Sequence, residues 1–251
     1  MTVDFLVAPD FAPGRFSGWY MLSTLLQRRS GIGLHLLMPG DAAEQARLLA
    51  AGKADLIYAN PFDASTLIRN EGYIPFARPI GRPDEMVIAT AAASPLEKVE
   101  DLGPGSRIAL TDNRDVKLIG LRLLEPADLD ETNIEWVQAS SFQAVARLLI
   151  QQQADAGFLL ADAWHELSRL TREQLKPLVE SALCDISHVL LAHPRMADTL
   201  PALREALLAV GHNGDAGDQV VLDALGLSQG FEAMSAEDAE FMIDLMDTLL
   251  D

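Results

Sequence analysis

The feature that most constrains this chain is an internal echo. Ala46-Arg47-Leu48-Leu49, four residues, then Ala54-Asp55 recurs 100 residues later, without a gap, as Ala146-Arg147-Leu148-Leu149, four residues, then Ala154-Asp155. Each copy opens with an apolar helical pattern. In the second, Phe142, Val145, Leu148 and Leu149 fall on one face at helical spacing. Each then runs into a short apolar segment, Leu56-Ile57-Tyr58-Ala59 or Ala156-Gly157-Phe158-Leu159-Leu160. Runs this short suit buried parallel strands. The copies read as one helix-then-strand unit used in two related lobes; the competing reading is chance similarity in a chain rich in Ala, Leu and Arg.

The rest of the chain alternates in the same way. Val3–Ala8, Leu34–Met38, Ile74–Ala77, Met86–Thr90, Arg107–Leu110, Ile134–Val137 and His188–Ala192 read as strands. Phe62–Arg69 and Val116–Leu124 read as helices, and the Pro/Gly-punctuated stretch 94–105 holds a short helix at most. After residue 192 the pattern is helical, with Leu200, Leu203, Ala206, Leu207 and Val210 in one stripe and Met242, Leu245, Met246 and Leu249 in another, both expected in the core. Strands alternating with helices predict mostly parallel sheets covered on both faces.

Composition excludes several classes. The 37 acidic against 19 basic residues give a formal charge of -18, which repels nucleic acid and anionic membrane surfaces. Cys184 is the only cysteine, so no internal disulfide or cysteine-based zinc site is possible. No apolar run reaches the roughly 18 residues of a membrane span. The strand reading begins almost at Met1, with no basic-apolar-small segment of the secretory type. The expectation for the chain as written is therefore the cytoplasm, or the periplasm if a signal segment has been removed.

The order of segments resembles the phosphate/phosphite/phosphonate-type substrate-binding proteins of ABC transporters. The similar stretches are Ala51-Gly52-Lys53-Ala54-Asp55-Leu56-Ile57-Tyr58-Ala59-Asn60-Pro61, Tyr73-Ile74-Pro75-Phe76-Ala77-Arg78, Ala93-Ser94-Pro95-Leu96 with Val99-Glu100-Asp101-Leu102, and Gly226-Leu227-Ser228-Gln229-Gly230-Phe231 in a closing helical region. The resemblance implies a type 2 periplasmic-binding-protein-like α/β fold. Its two lobes would each be a mostly parallel sheet flanked by helices, joined by two crossover strands near Met86–Ala91 and His188–Ala192. Lobe one would be 1–88 plus 191–251 and lobe two 89–190, with a ligand cleft between them. The family's phosphonate binders place a Ser/Thr-rich turn and a Gly at the first long helix of lobe two. Here that place reads Thr111-Asp112-Asn113-Arg114-Asp115, and Phe142 stands where a histidine is expected. Fold inheritance is thus better founded than ligand inheritance.

Ligands in open parallel sheets sit off the carboxyl ends of strands. The candidate binding residues are Asp10 and Phe11 after the first strand, Asn60 and Phe62 after the Leu56 strand, Thr111, Asn113 and Arg114 after the Arg107 strand, and Ser140 and Ser141 before the Phe142 helix. Trp164 and Asp185 complete the set, with Ser187 beside Asp185. Each has a plainer reading: Asp10, Ser140 and Ser141 as helix caps, Phe11, Phe62 and Trp164 as core, Arg114 as a surface pair with Asp112 or Asp115, and Asp185 as a turn residue. The expected partner is a small molecule, with a transporter permease or a signalling protein behind it. No metal, cofactor, nucleic acid or inserted membrane segment is expected. No phosphate loop, nucleophile elbow or metal-ligand pair appears, so a binding protein or sensor is preferred. The alternative is a cytoplasmic enzyme on the same fold, like those of menaquinone- or thiamine-precursor synthesis, with Asp112 or Asp185 as acid or base.

Overall fold

The computed structural model describes residues 2–9, 13–82, 85–181, 185–212 and 214–250. The chain divides into two compact units, Met1–Arg82 with Ser187–Met246 and Pro83–Ile186 with Asp247–Asp251. The first unit starts with β1 (Thr2–Val7), α1 (Phe16–Ser30), β2 (Gly33–Leu37), α2 (Ala42–Ala50), β3 (Leu56–Ala59), α3 (Pro61–Glu71) and β4 (Ile74–Pro79). The second holds β5 (Met86–Ala91), β6 (Arg107–Leu110), α4 (Arg114–Leu124), β7 (Glu135–Gln138), α5 (Phe142–Ile150), β8 (Ala156–Leu160), α6 (Ala161–Glu166), α7 (Arg169–Arg172) and β9 (Leu175–Glu180). The chain then returns through β10 (Val189–Ala192), α8 (Leu200–Leu208), α9 (Ala216–Leu225), β11 (Phe231–Ala233) and α10 (Ala236–Leu250).

The two sheets share one plan. The first runs β11-β4-β10-β3-β1-β2 and the second β7-β6-β8-β5-β9. In the first, β1 pairs in parallel with β2 and β3, while β10 lies antiparallel between β3 and β4. In the second, β6 pairs in parallel with β7 and β8, while β5 lies antiparallel between β8 and β9. Thus β6, β7, β8 and β9 repeat the places of β1, β2, β3 and β4, and β5 repeats that of β10. The sheets are mixed rather than parallel throughout, because the first takes in two reversed strands, β10 and β11, and the second one, β5. A split at residues 88 and 190 would cut β5 and β10, each of which belongs whole to a single sheet.

The echo reappears in the backbone. Asp41 caps α2 by accepting from the Glu44 N–H, and Ser141 caps α5 by accepting from the Ala144 N–H. Both helices end in the same turn: Gly52 N–H donates to Leu49 O and Lys53 N–H to Leu48 O, just as Gln152 donates to Leu149 and Gln153 to Leu148. The turn residue is left-handed in both, φ 68° at Gly52 and 56° at Gln152, a conformation that favours glycine. The aspartates that follow act alike. The Asp55 carboxylate accepts the Asp4 N–H at 2.8 Å, and the Asp155 carboxylate the Arg107 N–H at 2.8 Å. Each is also met by a guanidinium, Asp55 by Arg195 at 2.5 Å and Asp155 by Arg107 at 2.7 Å.

Both faces of each sheet are buried, which explains why the strands read as continuous apolar runs. In the first unit Phe5, Leu56 and Leu190 pack on one side with Trp19, Leu203, Leu207 and Leu222. Their neighbours Leu6, Ile57 and Leu191 pack on the other with Leu67, Tyr73 and Met242. In the second unit Met86, Ile88, Ile108 and Phe158 alternate in the same way with Val87, Ala89, Ala109 and Leu159. Two strands depart from the expected pattern. β9, Leu-Lys-Pro-Leu-Val-Glu, is an edge strand that tolerates Pro177. β11 interrupts the helical C-terminal region as a three-residue edge strand. The stretch 94–105 holds one 3-10 turn, Val99–Asp101.

Candidate ligand-binding site

In the first unit the strand-end loops that can be described follow β3 and precede β10. Asp10 and Phe11 lie outside the described residues. Asn60 caps α3, its Oδ1 accepting from the Asp63 N–H at 2.9 Å, while its Nδ2 donates to the Asp63 carboxylate at 3.1 Å. Pro61 at the first helical position needs no partner for an absent N–H. Gln45, buried on α2, donates its Nε2 to the same Asp63 oxygen. Phe62 is half-buried. Because β10 runs antiparallel to β3 with Val189 opposite Ala59, Ser187 and His188 arrive at this same edge. Both are buried, and the His188 ring stacks on Tyr58 at 5.0 Å. Tyr58 in turn lies 4.6 Å from Trp19.

In the second unit β6 and β7 are parallel neighbours with Leu110 opposite Gln138, so the loops after them emerge side by side. Thr111 is buried and its Oγ1 accepts the Asn113 N–H at 3.3 Å. Asn113 caps α4, accepting from the Val116 N–H at 2.8 Å, and Asp115 is buried in the helix's first turn. Asp112 and Arg114 are exposed. Ser141 caps α5 by accepting from Ala144 at 3.2 Å; Ser140 beside it is exposed. Asp185 is exposed in a turn. Trp164 is buried among Val87, Val145 and Leu149, which is the packing place of its plainer reading.

The structure thus gathers Thr111, Asn113, Ser140 and Ser141 at one edge of the second sheet, and Asn60 with Phe62 at the matching edge of the first. Gln45, Asp63, Tyr58, Ser187 and His188 join the second group without having been singled out together. Comparing the two copies position by position would have flagged Gln45 and Asp63, which stand opposite Val145 and Ala163. Tyr73, His193 and Asp155, three of the groups whose pKa is moved, lie at the opposite edge, that of the amino ends of the parallel strands. Burial pushes the Tyr73 hydroxyl up to about 12. Burial, helped by Arg195, holds His193 below its ordinary value, and the Arg107 hydrogen bond holds Asp155 low. These groups tie strand ends together: Tyr73 donates to the Ala54 carbonyl at 2.8 Å, and His193 Nδ1 accepts the Arg195 N–H at 3.1 Å. Among the described residues no cluster of three or more His, Cys, Asp or Glu could hold a metal ion, and no helix is long and apolar enough to cross a membrane.

Two α/β units of one strand order, each presenting capped helix N-termini at the carboxyl ends of its strands, define the class of ligand-binding proteins with the type 2 periplasmic fold. A profile described as "ABC transporter, phosphonate, periplasmic substrate-binding protein" matches residues 5–239, and the chain belongs to that family. The fold agrees at low identity. PhnD1 from Prochlorococcus marinus, solved with methylphosphonate, superposes with a TM-score of 0.82 at 12% identity, covering 99% of this chain and 98% of that one. A binding-protein component of a phosphonate ABC transporter from Pseudomonas aeruginosa gives 0.80 at 16%, covering 99% and 85%. XAC2383 from Xanthomonas citri, bound to chloride, gives 0.79 at 17%, covering 99% and 97%. No functionally curated protein matches the sequence. The family binds small ligands, works with a permease and is periplasmic; the enzyme alternative gains no support from it.

Proposed function

We propose that this chain captures a small polar ligand through the strand-end loops of both units, and that simple phosphonates and phosphate are not its tight ligands. The observation that carries the second half is the first turn of α4. A helix N-terminus attracts an anion by roughly 0.3–1 kcal/mol when exposed and about 2 kcal/mol when partly buried. Here Asn113 already takes one of the free N–H groups, Asp115 is buried within the turn and Asp112 precedes it. A like charge at about 4 Å opposes an incoming anion by roughly 1–4 kcal/mol across solvent-to-surface dielectrics. Arg114 between them offsets one of the two acidic charges, which leaves the helix end with little net attraction for an anion.

The residues that meet the ligand are Asn60 and Phe62 in the first unit and Thr111, Asn113, Arg114, Ser140, Ser141 and Asp185 in the second, with Asp10 and Phe11, outside the described residues, as further candidates. Asn60, Asn113 and Ser141 serve first as caps, which fixes the helix ends that a ligand approaches. The protein delivers its ligand to a permease and works in the periplasm, as its family does. Thermal-shift screening against phosphonates, sulfonates, carboxylates and amines tests this reading. A stabilising hit without turnover supports it. A panel without a single hit, or turnover of the hit, refutes it.

A further inference from the structure

The repeat supplies an internal comparison of what the fold needs with what this chain has added. At the 100-residue offset, Gln45, Asn60 and Asp63 correspond to Val145, Leu160 and Ala163. The match is structural as well: Asn60 is the N-cap residue of α3 and Leu160 that of α6, and Gln45 and Val145 hold the same place in α2 and α5. The second unit fills this place with apolar side chains, and Val145 is wholly buried in its core. The first unit spends three polar side chains there, and their amides converge on one carboxylate. Gln45 Nε2 and Asn60 Nδ2 both donate to Asp63 Oδ2.

The arrangement is costly for a purely structural one. Gln45 is 4% exposed, and its Oε1 is buried without a hydrogen-bond partner among the described residues. Turning the amide over would set that oxygen against the Asp63 carboxylate, so the orientation is fixed and leaves an acceptor over. Native folds seldom leave such an atom unsatisfied without a reason.

We propose that Asp63, oriented by Gln45 and Asn60, recognises a protonated primary amine on the ligand. This rests on the reading that the strand-end loops of this unit bind a small molecule. The chemistry follows from the atoms. A carboxylate and an amide oxygen offer acceptors only, which suits an ammonium with three N–H donors. A guanidinium would want a carboxylate with both oxygens open to its planar fork, whereas Asp63 Oδ2 already holds two amides. The net charge of -18 favours the approach of a cation.

The test follows the amide side chains by 1H–15N correlation spectroscopy of the full chain, titrated with ethylammonium chloride. The side-chain NH2 signals of Gln45 and Asn60 shift saturably, and tetramethylammonium, which carries the charge without N–H donors, does not move them. Asp63→Ala weakens the ethylammonium response at least about tenfold, as loss of a charge-assisted hydrogen bond requires. Gln45→Val, which installs the residue of the other copy, weakens it too while keeping the thermal unfolding midpoint. Three results overturn the proposal: no ethylammonium response in the unaltered protein, an equal response to tetramethylammonium, or variants that lose thermal stability yet keep the response. A thermal-shift hit whose affinity is unchanged in Asp63→Ala also sinks this proposal, but leaves the ligand-binding reading standing.

Discussion

Replacing Asp55 by alanine should cost the protein more than the same change at Asp155, although the two occupy equivalent places. Asp55 is 7% exposed and serves two donors, the Asp4 N–H at 2.8 Å and Arg195 Nε at 2.5 Å. Removing the carboxylate strands a buried backbone N–H, which costs about 1–3 kcal/mol, and ends a charge-assisted hydrogen bond worth about 1.5–3 kcal/mol. These overlap, so the expected loss is about 3 kcal/mol, or roughly 6–12 °C in unfolding midpoint for a chain of this size. The Asp155 side chain is 38% exposed against 10% for that of Asp55, while their partners Arg107 and Arg195 are about equally open. Water replaces much of what is lost at Asp155, and the expected cost is about 1 kcal/mol. Asp55→Asn should fall between, because an amide oxygen can still accept the Asp4 N–H. Circular dichroism against temperature and urea measures all three variants. Equal costs at the two sites, or a larger one at Asp155, would refute the reasoning from burial.

Three further expectations can be checked with the same instruments. Gly120→Ala should destabilise by about 1–3 kcal/mol despite alanine's better helix propensity, because a Cβ there would overlap the ring of Phe158, which is fully buried; an unchanged urea midpoint would contradict this. His193 is held below its ordinary value of 6.5 by burial and by Arg195, against the opposing pull of Asp55 and Glu71. A depressed folded pKa means that its contribution is present above about pH 6.5 and lost as pH falls through the folded value, so stability should decline below pH 6.5 and less steeply in His193→Asn, which retains a capping acceptor. Ser141→Ala should cost about 1 kcal/mol of cap stability, whereas Ser141→Asp, matching Asp41 in the other copy, should retain it in urea titration.

The sequence disclosed the duplicated unit because its signal is local: an amphipathic helix, a left-handed turn and an apolar run, repeated at fixed spacing. It did not disclose that β5 and β10 are inserted antiparallel, since strand direction is decided by tertiary pairing and leaves no mark on a run such as Met86-Val87-Ile88-Ala89. β9 escaped notice because Pro177 breaks its pattern and an edge strand needs only half its side chains buried. Among the site residues, Ser141 was legible as a residue suited both to capping and to binding, Asn60 and Asn113 only as polar candidates after a strand, and the structure shows that all three cap. Trp164 lies buried in its own unit's core, and an aromatic after a strand looks alike in sequence whether it faces a ligand or that core. Gln45 and Asp63 were overlooked because single polar residues in a helix ordinarily face solvent; only the contrast with Val145 and Ala163 sets them apart.

The measurement that bears most directly on the account is isothermal titration calorimetry at moderate salt with methylphosphonate, phosphate and 2-aminoethylphosphonate. Methylphosphonate and phosphate should bind with dissociation constants weaker than about 1 μM, equivalent to about 8 kcal/mol, and the amine-bearing ligand should bind more tightly than methylphosphonate. Binding of methylphosphonate or phosphate below about 1 μM would contradict it, since the first turn of α4 would then be holding an anion beside Asp112 and Asp115.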